Sequence, residues 1–148
     1  MIFRKFFLFF VLITALASLS NAQRNVTLAI DRDPLLEVDA KHNLDVARQA
    51  FELKKAYKGV LLRFEETYAA YPEFSKIDEF LYMAGMSSYY LSENKGKQKI
   101  DMKTEKEKEK YAPAKLKEDA VAYLSEVVNK HPDSKFKSGA EKTLKLLK

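Results

Sequence analysis

The stretch VLLRFEETYAAYPEFSK, residues 60–76, decides the fold class because it recurs sixty residues later as AVAYLSEVVNKHPDSKF, residues 120–136. In both copies the apolar residues are spaced four apart, as they are on one face of an α-helix. A proline then ends each helix, because the residue before a proline avoids helical dihedral angles. A polar residue suited to cap a new helix follows each proline. The repeat therefore predicts an all-α protein built from helical hairpins.

The rest of the chain beyond residue 40 continues the helical period. Each hairpin has an apolar face that it cannot cover alone, so we expect the hairpins to stack on one another. Several residues fall on the apolar positions of a tetratricopeptide unit of about 34 residues, namely Leu44, Ala47, Phe51, Val60 and Phe64. The sequence thus predicts a short tetratricopeptide-like array of about five helices over residues 40–148. The predicted helices are 40–54, 56–71, 75–92, one that starts after Pro113, and 134–147.

The N-terminal residues have the character of an export signal. Arg4 and Lys5 precede an apolar run over 6–19, and Ser20-Asn21-Ala22 supplies small residues for cleavage. This pattern predicts a signal peptide over 1–22, with an uncleaved anchor as the alternative. Residues 23–39 show no sustained period and contain a proline, which favours a flexible leader. We therefore expect a protein that crosses the inner membrane and works in the periplasm, either free or associated with the outer membrane.

A charged segment interrupts the second repeat. ENKGKQKIDMKTEKEKEK, residues 93–110, consists almost entirely of lysine, glutamate and small polar residues. On a helix such alternating charges would leave no apolar face, so we predict a solvated loop or frayed helix inserted at about 93–113. The alternative is a basic patch for anionic lipid or for an acidic partner.

The sequence holds few residues for chemistry. It contains no cysteine, its two histidines lie on different predicted helices, and its four glycines are scattered. No serine lies in a G-x-S-x-G context, and the glycines form no phosphate-binding loop. The net charge of +5 mixes lysine with glutamate and does not point to nucleic acid. We predict no catalytic residue, cofactor, metal site or small-molecule substrate, and hence a protein that is not an enzyme.

The stretch FLYMAGMSSYYL, residues 80–91, is apolar nearly all the way round its predicted helix. A helix between two hairpins needs two buried sides, which explains part of this composition. The excess of tyrosine and methionine suits an adaptable surface on the concave side of the array. The candidate partner-binding residues are Tyr82, Met86, Tyr89 and Tyr90, and the alternative is that they are ordinary core.

Three phrases resemble a known family. They are F-x-x-x-Y-x-x-Y-P from Phe64 to Pro72, LYMAG from Leu81 to Gly85, and HPDSKF from His131 to Phe136. Together they are similar to the tetratricopeptide-like domain of the outer-membrane assembly lipoproteins, the BamD-like component of the β-barrel assembly machinery. The resemblance covers about 40–148.

The resemblance implies a periplasmic scaffold that binds protein partners, with outer-membrane protein assembly as its expected role. The alternative is an envelope module whose Lys-rich insertion contacts anionic lipid or cell-wall polymer, with peripheral membrane contact. The chain departs from the family in two respects. It has no cysteine to carry a lipid anchor, which implies a soluble protein or one held by its partners. It also has room for fewer repeats, so it should offer a single groove.

Overall fold

A computed structural model describes residues 32–101 and 103–147. Over this part of the chain the protein is helical, without strands. The helices are α1 (Pro34–Gln49, continued by a π-helical turn at Ala50–Lys54), α2 (Tyr57–Ala70), α3 (Ile77–Ser92), α4 (Glu105–Lys110), α5 (Pro113–Lys130) and α6 (Lys137–Leu146). The predicted all-α fold, a short tetratricopeptide-like array of helical hairpins, is confirmed.

The first helix begins earlier than predicted. The sequence placed a flexible leader over 23–39 and the helix start near residue 40, whereas α1 begins at Pro34. The Asp33 carboxylate accepts hydrogen bonds from the amides of Leu35, at 2.8 Å, and Leu36. Proline suits the first turn of a helix because its missing N–H would have no partner there. Residues 34–39 are therefore helical, while the predicted signal peptide and residues 23–31 lie outside the described part.

The two copies of the repeat fold alike. At the first proline turn, Tyr71 donates its amide to Thr67, Phe74 to Tyr71, and Ile77 to Phe74. The second turn repeats these three backbone bonds sixty residues later, with donors at residues 131, 134 and 137. Both turns lead from the second helix of one hairpin into the first helix of the next. The sequence repeat is thus also a repeat of backbone geometry.

Helix α3 lies at the centre of the array. It packs most extensively against α5 and next against α2, and ten of its 16 residues are buried. The approach to α5 is close at Gly85, where an added Cβ would lie 2.6 Å from the Leu124 Cγ. Phe64, Phe80 and Leu81 belong to the same core and are at most 1% exposed. Burial on both flanks accounts for the apolar composition of residues 80–91.

The charged insertion is docked on the body. Its helix α4 has no buried residue, as the alternating charges predicted. Around α4, however, the backbone amide of Lys97 donates to the Lys55 carbonyl at 3.0 Å, and Tyr111 is only 8% exposed. The backbone amide of Gly59 donates to the Gln98 side chain at 3.1 Å. The insertion is therefore attached to the start of α2 by hydrogen bonds and anchored by one aromatic ring.

Candidate protein-binding surface

The four predicted partner-binding residues lie on one side of α3, and the structure separates them into a buried residue and three partly exposed ones. Met86 is 8% exposed, and its sulfur accepts a hydrogen bond from the Thr143 hydroxyl of α6 at 3.3 Å. Its side chain is covered by α6 and offers little surface. Tyr82, Tyr89 and Tyr90 are each half-buried. We call these three residues the α3 tyrosine face.

Tyr82 is positioned by the start of α6. Its ring stacks on Phe136, with centroids 5.1 Å apart and planes at 23°. The backbone of Gly139 passes so close that an added Cβ would lie 2.8 Å from the Tyr82 hydroxyl oxygen. Burial raises the pKa of Tyr82, and Tyr90 adds to this effect. The phenol therefore stays neutral at physiological pH and can donate a hydrogen bond.

Tyr89 and Tyr90 belong to an aromatic cluster at the end of α3. The Tyr90 ring lies 5.0 Å from that of Tyr57 and 5.7 Å from that of Tyr89, while Phe51 stacks on it at 6.2 Å. The Lys95 ammonium is 5.6 Å from the Tyr89 centroid and 5.8 Å from the Tyr90 centroid, within cation–π range. The cluster combines rigid apolar rings with a positive charge at its edge.

A charged group lies one turn before Tyr82. Glu79 of α3 accepts from the guanidinium of Arg48 on α1, at 2.7 Å to Nη2 and 2.8 Å to Nε. Asp45 accepts from the same guanidinium at 2.6 Å. These contacts raise the pKa of Arg48, with the hydrogen bond to Glu79 as the largest cause. This side of α3 is thus charged at its start and aromatic at its end.

The spacing of the tyrosines places them on one side of α3, but it does not reveal the residues that hold them. Phe51 stacks on Tyr90 from 39 residues away, and Phe136 stacks on Tyr82 from 54 residues away. Lys95 lies nearest to Tyr89, only six residues away. Only Lys95 is near enough along the chain for local spacing to reveal it. Finding the other two would have required the register of α3 against α1 and α6.

Two lysines form ion pairs between the insertion and α2. Lys58 of α2 donates to Glu107 at 2.7 Å, and Lys110 donates to Glu65 at 2.6 Å. The hydrogen bond from Lys58 is the main cause that lowers the pKa of Glu107, and the hydrogen bond to Glu65 is the main cause that raises the pKa of Lys110. Lys97, Lys99, Lys103 and Lys106 remain exposed.

Within 32–101 and 103–147, no three His, Cys, Asp or Glu side chains are grouped so that they could hold a metal ion. In the same ranges, no helix is long and apolar enough to cross a membrane. The partly exposed rings and the adjoining charges are suited to binding another molecule through contact area and hydrogen bonds.

Comparison with known families decides the relationship. The family model described as outer membrane lipoprotein, YfiO, matches residues 15–148. The chain belongs to this family. Membership confirms the resemblance to the BamD-like assembly lipoproteins and indicates a role in the cell envelope, at the outer membrane. No curated protein and no solved structure matches the chain significantly.

Proposed function

We propose that this protein is a periplasmic scaffold for outer-membrane protein assembly, and that it binds a segment of a partner protein on the α3 tyrosine face. It is proposed to act by binding rather than by catalysis. Tyrosine is enriched in protein interfaces because it buries a large apolar ring at low entropic cost and keeps a hydroxyl for hydrogen bonding. The observation that carries the proposal is that Tyr82, Tyr89 and Tyr90 are held by neighbouring rings and remain partly exposed.

The contacts of the rings favour a pre-organised surface. Tyr82 is held between Phe136 and Gly139, and Tyr90 between Phe51 and Tyr57. Because these side chains have already lost their rotamer freedom, a partner would not bear that entropic cost on binding. A segment lying along α3 would meet apolar rings near Tyr89 and polar groups near Glu79. We therefore expect a partner segment that combines apolar side chains with at least one charge.

The test is crosslinking and affinity capture from envelope extract with wild type and the variant Tyr82→Ala/Tyr89→Ala. The control is Tyr68→Ala, because Tyr68 is also half-buried but lies on α2, where it binds Glu126 at 3.1 Å. We expect the double variant to lose the captured proteins and the control to retain them, with all three equally helical by circular dichroism. Recovery of the same proteins from all three would contradict the proposal.

A second candidate function rests on the exposed lysines of the insertion, which could contact anionic lipid or cell-wall polymer. Salt separates the two candidates, because contacts between exposed charges weaken as the ionic strength rises. Binding to the α3 tyrosine face should persist at about 1 M salt, where the Debye length is about 3 Å. Cosedimentation with anionic vesicles that disappears in Lys97→Ala/Lys99→Ala and at high salt would favour the insertion.

A further inference from the structure

The outer face of α1 is apolar and exposed. We define the α1 outer face by the residues that follow one another at steps of three and four along the helix, which are Leu35, Val38, His42, Val46, Gln49 and Leu53. Leu35, Val38, Val46 and Leu53 are 78%, 64%, 36% and 73% exposed. The opposite face of α1 carries Ala40, Leu44 and Ala47 and is buried in the core. An amphipathic helix normally presents polar residues to water on its exposed side, so this face is unusual.

Helix α6, at the other end of the described array, carries charged residues at two positions where the equivalent helix α3 packs against its neighbour. The repeat offset of sixty residues pairs Leu81 and Gly85, which face α5 inside the array, with Glu141 and Lys145 on α6. Both of these charged residues border the cleft between α5 and α6 and are exposed. Terminal units of a helical array need such a polar outer face to remain soluble. At these two positions α6 carries charge where α3 packs against its neighbour, whereas the α1 outer face is apolar at four positions.

The charges beside the α1 outer face fit a second copy of the same face. Lys41 and Asp45 are exposed, lie one turn apart, and border the same edge of the apolar residues. If two α1 helices pair in antiparallel orientation with Leu35 opposite Leu53, then Val46 falls opposite His42. In this register Lys41 of each copy comes within about one helical turn of Asp45 of the other.

We propose that two copies of this protein associate through their α1 outer faces as a twofold dimer with antiparallel α1 helices. Twofold symmetry makes each contact occur twice, so four apolar side chains per copy and two Lys41–Asp45 pairs contribute. Lys41 takes part in none of the ion pairs found among the described residues, whereas Asp45 also binds Arg48.

The main test is analytical ultracentrifugation of the protein from Gln23 onward over about 1–500 μM, a range that covers weak association. We expect a monomer–dimer equilibrium in wild type and a monomer at all these concentrations in Val46→Glu and in Leu53→Glu. The matched control is Leu62→Glu, since Leu62 is a 47% exposed leucine on α2. Circular dichroism shows whether each variant is folded. A monomeric wild type overturns the proposal, and so does a control that dissociates like Val46→Glu.

Charge exchange tests the orientation. Lys41→Glu and Asp45→Lys should each weaken the dimer by about three- to tenfold, because each removes two exposed ion pairs. The combined variant Lys41→Glu/Asp45→Lys should recover the wild-type dissociation constant. The absence of cysteine from the sequence adds a direct probe. A mixture of His42→Cys and Val46→Cys proteins should form a disulfide-linked heterodimer on mild oxidation, and Leu62→Cys should not replace either partner. Failure of both the recovery and the heterodimer would refute the antiparallel arrangement.

Discussion

Replacing Gly85 by alanine tests the packing that places α3 at the centre of the array. The added Cβ would lie 2.6 Å from Cγ and 2.8 Å from Cδ2 of Leu124. Leu124 is fully buried, so its side chain has little room to move away. Overpacking of this kind costs about 1–3 kcal/mol, and we expect a value near the upper end. Alanine is a better helix former than glycine by about 1 kcal/mol. The net loss in the free energy of unfolding should therefore be about 1–2 kcal/mol.

Gly59→Ala is the matched control for this variant. Gly59 is also helical, in the first turn of α2, but a Cβ built there has no atom within 4 Å. Only the gain in helix propensity remains, and we expect the protein to become more stable by about 0.5–1 kcal/mol. The two glycine-to-alanine substitutions should therefore have opposite effects on stability. Helix propensity alone would predict two gains.

The assay is equilibrium unfolding in urea followed by far-UV circular dichroism. With a slope of about 2 kcal/mol per molar urea, the midpoint of Gly85→Ala should fall by roughly 0.5–1 M. Leu124→Ala alone should cost about 2–5 kcal/mol by leaving a cavity. In the double variant the new methyl group occupies part of that cavity. The stability loss of the double variant should therefore be smaller than the sum of the losses of the two single variants. A Gly85→Ala protein as stable as wild type, or strict additivity in the double variant, would refute the close-packing argument.

Two further predictions concern the docked insertion. Gly96→Ala should detach the insertion and increase its cleavage by protease. Gly96 has a φ of 105°, and an added Cβ would lie 2.7 Å from the Tyr57 ring and 2.9 Å from the Lys55 carbonyl. Unchanged cleavage would contradict this account. Glu107→Gln should remove part of the pH dependence of the free energy of unfolding. Lys58 lowers the pKa of Glu107 below the ordinary 4.5, so this stabilisation is complete above pH 4.5 and is lost as the pH falls through the lower folded value. Urea unfolding between pH 3 and 7, roughly the range in which a carboxylate titrates, should show a smaller loss in the variant than in wild type.

Most of the fold could be predicted from the sequence, and the errors in that prediction have identifiable causes. The repeat across Pro72 and Pro132 was legible because each helix carries its apolar residues at a fixed local period. The start of α1 was misplaced because its first residues, such as Leu35 and Val38, face outward and so do not follow the period of the core. Capping by Asp33 is a local signal that could have been found from its position before Pro34.

The sequence by itself determined that the chain is an array of helices, that α3 is buried on both flanks, and which side of α3 carries the tyrosines. These features depend on local periodicity, which needs no knowledge of distant residues. Only the tertiary structure decided that Met86 is covered by α6, that Lys58 and Glu65 hold the insertion, and that α1 exposes an apolar face. Each of these depends on a contact, or on the lack of one, between elements far apart in sequence. The register of helix against helix sets those contacts, and side-chain spacing along one helix does not encode it.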